Sequence, residues 1–228
     1  MKNIEKTVFA ALFFCALNAQ AALTTEEIVT LCAQADDTHD CARQIEAAQI
    51  KKLPAELAQR GTGDESTTLT LSLSQGLFND TASEIKLIDK DGKAYTVWDY
   101  WPPLNAFLLL VLEEKDSYYL WLSQLDGKTV RLPAEPVFAA GNKRFATADF
   151  CDEGCRNEVA IWQIRQGLPV KTRTWQPKET WDDAEASWVS PDQLRLEYRV
   201  SGSEEYQEMT VSPDKTYKNK KNLLQKLF

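Results

Sequence analysis

Few side chains in this 228-residue chain could do chemistry. It has one histidine and five cysteines, so a Ser–His or Cys–His nucleophile would have to work through His39 alone. His39 falls in a turn between two helical patterns and reads as a solvent-exposed turn residue. No Gly-x-Ser-x-Gly elbow occurs. Ser83-Glu84-Ile85-Lys86 and Ser212-Pro213-Asp214-Lys215 have the Ser-x-x-Lys spacing of some acyl enzymes, but that motif must open a helix, and both stretches read as strand or turn. Carboxylates are the enzyme-like option that is left. Asp149, Asp152 and Glu153 share one loop, and Asp182, Asp183 and Glu185 follow Trp181 on another. Two carboxyl groups placed across a sugar ring would make a glycoside hydrolase, although acidic loop residues are more often simply solvated.

Metal chemistry fares no better. Cys151-Asp152-Glu153-Gly154-Cys155 offers two sulfurs and two carboxylates, yet structural zinc wants four ligands, and no second Cys or His pair completes the set. Asp89-Lys90-Asp91-Gly92 lacks the fifth-position acid and distal Glu of a calcium loop and reads as a hairpin turn. No metal or cofactor is expected. The candidate binding residues are Trp98, Tyr100 and Trp101, in Trp98-Asp99-Tyr100-Trp101-Pro102-Pro103. Aromatic faces exposed in a row suit a sugar, a peptide or a protein surface. The competing reading is core packing, with Trp98 completing the alternation of Tyr95 and Val97. Trp175, Trp181 and Trp188 divide in the same way.

The elements that must position these residues begin with a leader. Lys2 and Lys6 precede an apolar run from Val8 to Leu17, and small residues end in Ala19-Gln20-Ala21, the layout of a signal peptide over residues 1–21. The run is too short to span a bilayer, so a periplasmic or secreted protein without a transmembrane segment is expected, cleaved near Ala21. Cys15 follows Phe13 and Phe14 rather than the small residue a lipoprotein signal needs, which argues against lipid anchoring. Loss of Lys2, Glu5 and Lys6 moves the formal charge from −8 to about −9. An acidic surface gives no field for phosphates and excludes nucleic acid as a partner class.

Four cysteines remain after cleavage, an even count that argues for two disulfides in an exported chain. Three connectivities are open. The local pairs, Cys32 with Cys41 and Cys151 with Cys155, are favoured because each brackets a turn. Residues 22–60 read as a helical segment: Thr24-Thr25-Glu26-Glu27 is a capping box, Ile28, Leu31, Cys32 and Ala35 follow at helical spacing, Asp36 to Asp40 turn, and Cys41, Ile45 and Ala48 share a face of a second helix. Pro54 and Gly61-Thr62-Gly63 mark the boundary.

Residues 66–217 read as a β-repeat domain. Leu69, Leu71 and Leu73 alternate with hydroxyl residues, and Asp91-Gly92 and Asp126-Gly127 are hairpin signals. Tyr118-Tyr119-Leu120-Trp121-Leu122 before Asp126-Gly127 matches Val159-Ala160-Ile161-Trp162-Gln163-Ile164 before Gln166-Gly167, the tryptophans 41 residues apart. Residues Pro136 to Ala148 parallel Ala186 to Tyr198, each a short strand, a tight turn and a longer strand. Over Phe138 to Ile164, and less closely over Ser187 to Val211, the chain resembles the blades of β-propellers of the WD40 and TolB kind. It also resembles exported bacterial proteins of undefined role that join a cysteine-bearing helical leader to similar repeats. The resemblance implies a mainly β fold of three to four blade-like antiparallel units, as a closed ring or an open arc, and implies no activity. Residues 218–228 form a basic amphipathic tail that could dock on the β body as a short helix. The expected function is a non-catalytic interaction module of the bacterial envelope whose partner is another envelope protein. A glycan-binding protein using the exposed aromatics and a carboxylate-dependent hydrolase are the alternatives.

Overall fold

A computed structural model describes residues 23–73 and 83–212; the leader with Cys15, the basic tail and most of Ser212–Lys215 lie outside them. Helix α1 (Thr25–Cys32) opens on the expected capping box, the Glu27 amide donating to Thr24 Oγ1 at 3.2 Å and the Thr24 amide to Glu27 Oε2 at 2.7 Å. Helix α2 (Thr38–Lys52) begins before Cys41 because Asp37 caps it, accepting from the Asp40 amide at 2.8 Å. His39 is therefore in the first turn of a helix rather than between helices, and it is exposed. Disulfides join Cys32 to Cys41 and Cys151 to Cys155, the two local pairs.

Fourteen described strands form four antiparallel sheets in chain order. The first holds β1 (Ala58–Arg60), β2 (Thr68–Ser72) and β3 (Glu84–Ile88), and the second β4 (Ala94–Trp101), β5 (Ala106–Glu113), β6 (Asp116–Ser123) and β7 (Thr129–Leu132). The third holds β8 (Val137–Phe138), β9 (Arg144–Asp149), β10 (Glu158–Arg165) and β11 (Leu168–Trp175), and the fourth β12 (Trp181–Ser190), β13 (Gln193–Val200) and β14 (Tyr206–Val211). Strand β1 falls inside the stretch read as helical. Hairpin chemistry explains the meanders: Asp91 and Gly92 take φ 55° and 76°, and Gln166 and Gly167 take 52° and 80°, the paired positive values of a tight two-residue turn.

Neighbouring sheets pack face to face. Leu69 and Leu71 of β2 meet Val97, Phe107, Leu109 and Leu122 of the second sheet. Ala106, Leu108 and Trp121 on that sheet's other face meet Phe145, Ala160 and Trp162 of the third. Ala146, Val159 and Ile161 then meet Trp181, Leu194 and Leu196 of the fourth. The two central sheets are thus buried on both faces, which is why β5 reads as an unbroken apolar run. The end sheets turn outward residues such as Glu84 and Lys86, or Arg195 and Glu197, to solvent. None of these three clusters joins the fourth sheet to the first, and no closed ring of sheets is formed among the described residues.

The aligned tryptophans do not occupy equivalent positions. Trp121 and Trp162 both lie on the third strand of their sheet, yet they enter the same interlayer space from opposite sides.

Helix α2 covers the free edge of β4. Its buried face carries Ala42, Ile45, Glu46 and Gln49 instead of a purely apolar stripe, because the sheet edge presents carbonyls. Gln49 Nε2 donates to the Trp98 carbonyl at 2.8 Å and Arg43 Nη1 to the Tyr95 carbonyl at 2.9 Å. Around them Arg43 and Arg60 pair with Glu46 and Asp89. A covered edge cannot recruit a foreign strand.

Candidate functional site

The Trp98–Trp101 segment is built on an irregular strand. A bulge between Val97 and Asp99 in the β4–β5 pairing inserts one residue. Trp98 and Trp101, three apart, consequently share the face toward the third sheet, while Tyr100 joins Tyr95 and Val97 on the face toward the first. The alternation that placed Trp98 with Tyr95 and Val97 is thereby corrected. Trp101 packs against Trp121 and Phe138 at ring separations of 5.1 and 4.7 Å, and Trp98 meets Tyr119 edge-on at 5.6 Å. Tyr100 is buried against Phe107, its hydroxyl donating to Gln124 Oε1 at 2.8 Å. Trp175, Trp181 and Trp188 all join the cluster between the third and fourth sheets.

Trp98 supports a surface in front of it. Its Nε1 donates to Glu135 at 2.8 Å, and Glu135 and Tyr119 both line a cleft of about 1110 Å³ between the second and third sheets. Burial pushes the Tyr119 hydroxyl well above the ordinary tyrosine range, with the Glu135 charge adding to it, and burial also raises the Glu135 carboxyl against the opposing pull of the Trp98 hydrogen bond. Deeper in the wall Tyr118 lies under the Arg131 guanidinium, whose carbon is 3.7 Å from the ring centre, and its hydroxyl accepts from Lys93 Nζ at 2.8 Å. Glu113 and Tyr118 together hold Lys93 above its usual range.

The opposite wall comes from β9 and the loop leaving it. Asp149 is buried and accepts from the Arg156 amide at 3.3 Å; burial raises its carboxyl. Phe150, Glu153 and the Cys151–Cys155 disulfide continue this wall. Thr38 and His39, inside the ring closed by Cys32–Cys41, border the same cleft. The chain's two covalently closed loops, more than a hundred residues apart in sequence, therefore both reach one concavity.

The two carboxylate groups singled out in the sequence are not brought together in it. Asp149 and Glu153 line this cleft, whereas Asp183 and Glu185 lie on strand β12, not on a loop, and line an adjoining groove of about 800 Å³ with Glu197 and Tyr206. Tyr118, Arg131, Glu135 and Arg156 were not legible as site residues. The signal that could have found the cleft is the pair of short cysteine spacings, each closing a loop that faces it. Among the described residues no helix is long and apolar enough to cross a membrane, and no group of three or more His, Cys, Asp or Glu is arranged to hold a metal. No protein-family model matches the chain, and no curated protein matches it.

Proposed function

We propose that this protein is a non-catalytic binding module of the bacterial envelope, exported after removal of its leader, whose recognition surface is the cleft between the second and third sheets. The observation that carries this reading is the convergence of both disulfide-closed loops on that cleft. A rim fixed covalently before the ligand arrives spares the ordering cost of binding, and disulfides belong to chains matured in an oxidising compartment. Four meander sheets packed in sequence agree with blade-like repeats of the propeller kind left open, a stiff scaffold that presents loops. Mixed charges with Tyr118, Tyr119 and Phe150 on the walls suit a protein segment better than a purely apolar ligand. Trp98 acts in this reading by holding Tyr119 and Glu135 from behind, while Tyr100 and Trp101 pack in the layers on either side of the sheet.

The test is capture of tagged mature protein from mildly crosslinked envelope extract. One partner at near-equal stoichiometry is expected, lost with the cleft variants Glu153→Arg and Arg156→Glu and kept with Arg195→Glu on the outer face of the fourth sheet. A partner indifferent to the cleft variants would overturn the assignment of the surface, and hydrolysis of a glycan by the purified protein would overturn the non-catalytic reading.

A further inference from the structure

The loop that forms one wall of the cleft is fixed unevenly. Its ends are tied by hydrogen bonds: the Arg156 amide donates to Asp149, Asn157 Nδ2 to the Glu179 carbonyl at 3.2 Å, and the Trp181 amide to Asn157 Oδ1 at 3.2 Å. Phe150 is anchored on Trp181 with ring centres 5.0 Å apart. Between these anchors Asp152, Glu153 and Gly154 are exposed, Gly154 holds φ +91° with open space where a side chain would begin, and the Cys151–Cys155 disulfide is the cross-link that folds the tip back. The other disulfide is placed differently, joining α1 to a helix that is itself packed on β4.

We propose that Cys151–Cys155 is a redox control on the cleft: its reduction by a dithiol of the Cys-x-x-Cys oxidoreductase class releases the loop tip and dissolves one wall while the sheets stay folded. The proposal rests on the cleft being the binding surface. In the first step a thiolate of the reductant attacks Cys155 Sγ; a mixed disulfide forms, the Cys151–Cys155 bond breaks, and Cys151 leaves as a thiolate that takes a proton. The second reductant thiolate then attacks its own partner sulfur in the mixed disulfide, releasing Cys155 as a thiolate that is also protonated. Two electrons and two protons enter the loop, and the reductant leaves as a disulfide. The Cys151 sulfur lies 2.9 Å from the Glu153 carbonyl, which gives the new thiol an acceptor.

The experiment needs no partner, so its failure is distinct from failure of the binding reading. The mature protein is equilibrated in native buffer with graded dithiothreitol, trapped by alkylation, and mapped by mass spectrometry alongside amide hydrogen exchange. Cys151 and Cys155 are expected to label at reductant levels about tenfold below those that label Cys32 and Cys41, with exchange rising about tenfold over residues 150–156 and unchanged in β5 and β10. The Cys151→Ser/Cys155→Ser double variant is expected to reproduce that exchange pattern without reductant. Joint reduction of both disulfides, loss of protection in the sheets on opening, or an open loop with unaltered exchange would each overturn the proposal.

Discussion

Arg60 grips Glu46 with two nitrogens, Nε to Oε1 at 2.9 Å and Nη2 to Oε2 at 2.8 Å. The Glu46 side chain is only 3% exposed, and it also takes Arg43 Nη1 at 2.7 Å. One carboxylate thus ties helix α2 to β1 and, together with Asp89, balances the two guanidinium groups.

Removing that carboxylate should cost far more than a surface pair. Glu46→Ala leaves two partly buried cations sharing Asp89 and the Tyr95 carbonyl, and a loss of about 3 kcal/mol in unfolding free energy is expected from urea titration. A loss under about 1 kcal/mol would mean that the network is solvated in place.

Asp99 sets a pH dependence of definite sign. Burial lifts its carboxyl from the ordinary 3.8 to about 6, with the Glu135 charge contributing. A carboxyl whose folded value stands above its unfolded one binds its proton better in the folded state, so stability declines as pH rises between about 4 and about 6 and stays lowered above that. Asp99→Asn should therefore raise the unfolding free energy by about 2 kcal/mol near pH 8 and have little effect near pH 3.5. Urea midpoints at the two pH values check this, and an equal shift at both would remove the carboxyl as the cause.

Trp121 tests the central layer. It is fully buried, stacks on Phe145 at 6.1 Å and donates from Nε1 to the Gly167 carbonyl at 3.1 Å. Trp121→Ala should cost about 3–5 kcal/mol through the cavity it leaves. Trp121→Phe, keeping most of the ring and losing the donor, should cost about 1–2 kcal/mol. Thermal unfolding of the two variants side by side reads the difference.

Opening the first disulfide should act locally. Helix α1 buries no residue, and a Lys52–Glu27 pair at 3.4 Å is its ionic link to α2. Cys32→Ser/Cys41→Ser should accelerate amide exchange in α1 by roughly tenfold or more while leaving the sheets and the urea midpoint of the β body unchanged. Acceleration spreading into β4 would show that the helices fold with the β body as one unit.

Local chemistry made much of this legible from the residues. The Thr24 capping box, the Asp91-Gly92 and Asp126-Gly127 hairpins and the two cysteine spacings each depend on a few neighbouring side chains, and all took the form their types dictate. What failed were counts carried through an irregularity. The bulge beside Asp99 put Trp98 and Trp101 on one face, and Trp121 and Trp162, matched by local sequence, meet in one interlayer cluster because facing is set by how each sheet stacks on the next. The cleft was illegible for a further reason. Its walls come from β6, the β7–β8 connection and the loop after β9, and their meeting depends on how two sheets stack rather than on any local pattern.

Because each sheet rests on its neighbours in chain order, the molecule behaves mechanically as a short one-dimensional stack. An interior layer is braced on two sides, and the interface of the first with the second is supplemented by Ile50 of α2 and by Leu53 just after it. Among the described residues the fourth layer packs on the third and shows polar residues on the other side. Thermal fraying should start there and travel inward, so a pull applied at the C-terminal end would peel the layers in reverse order of synthesis.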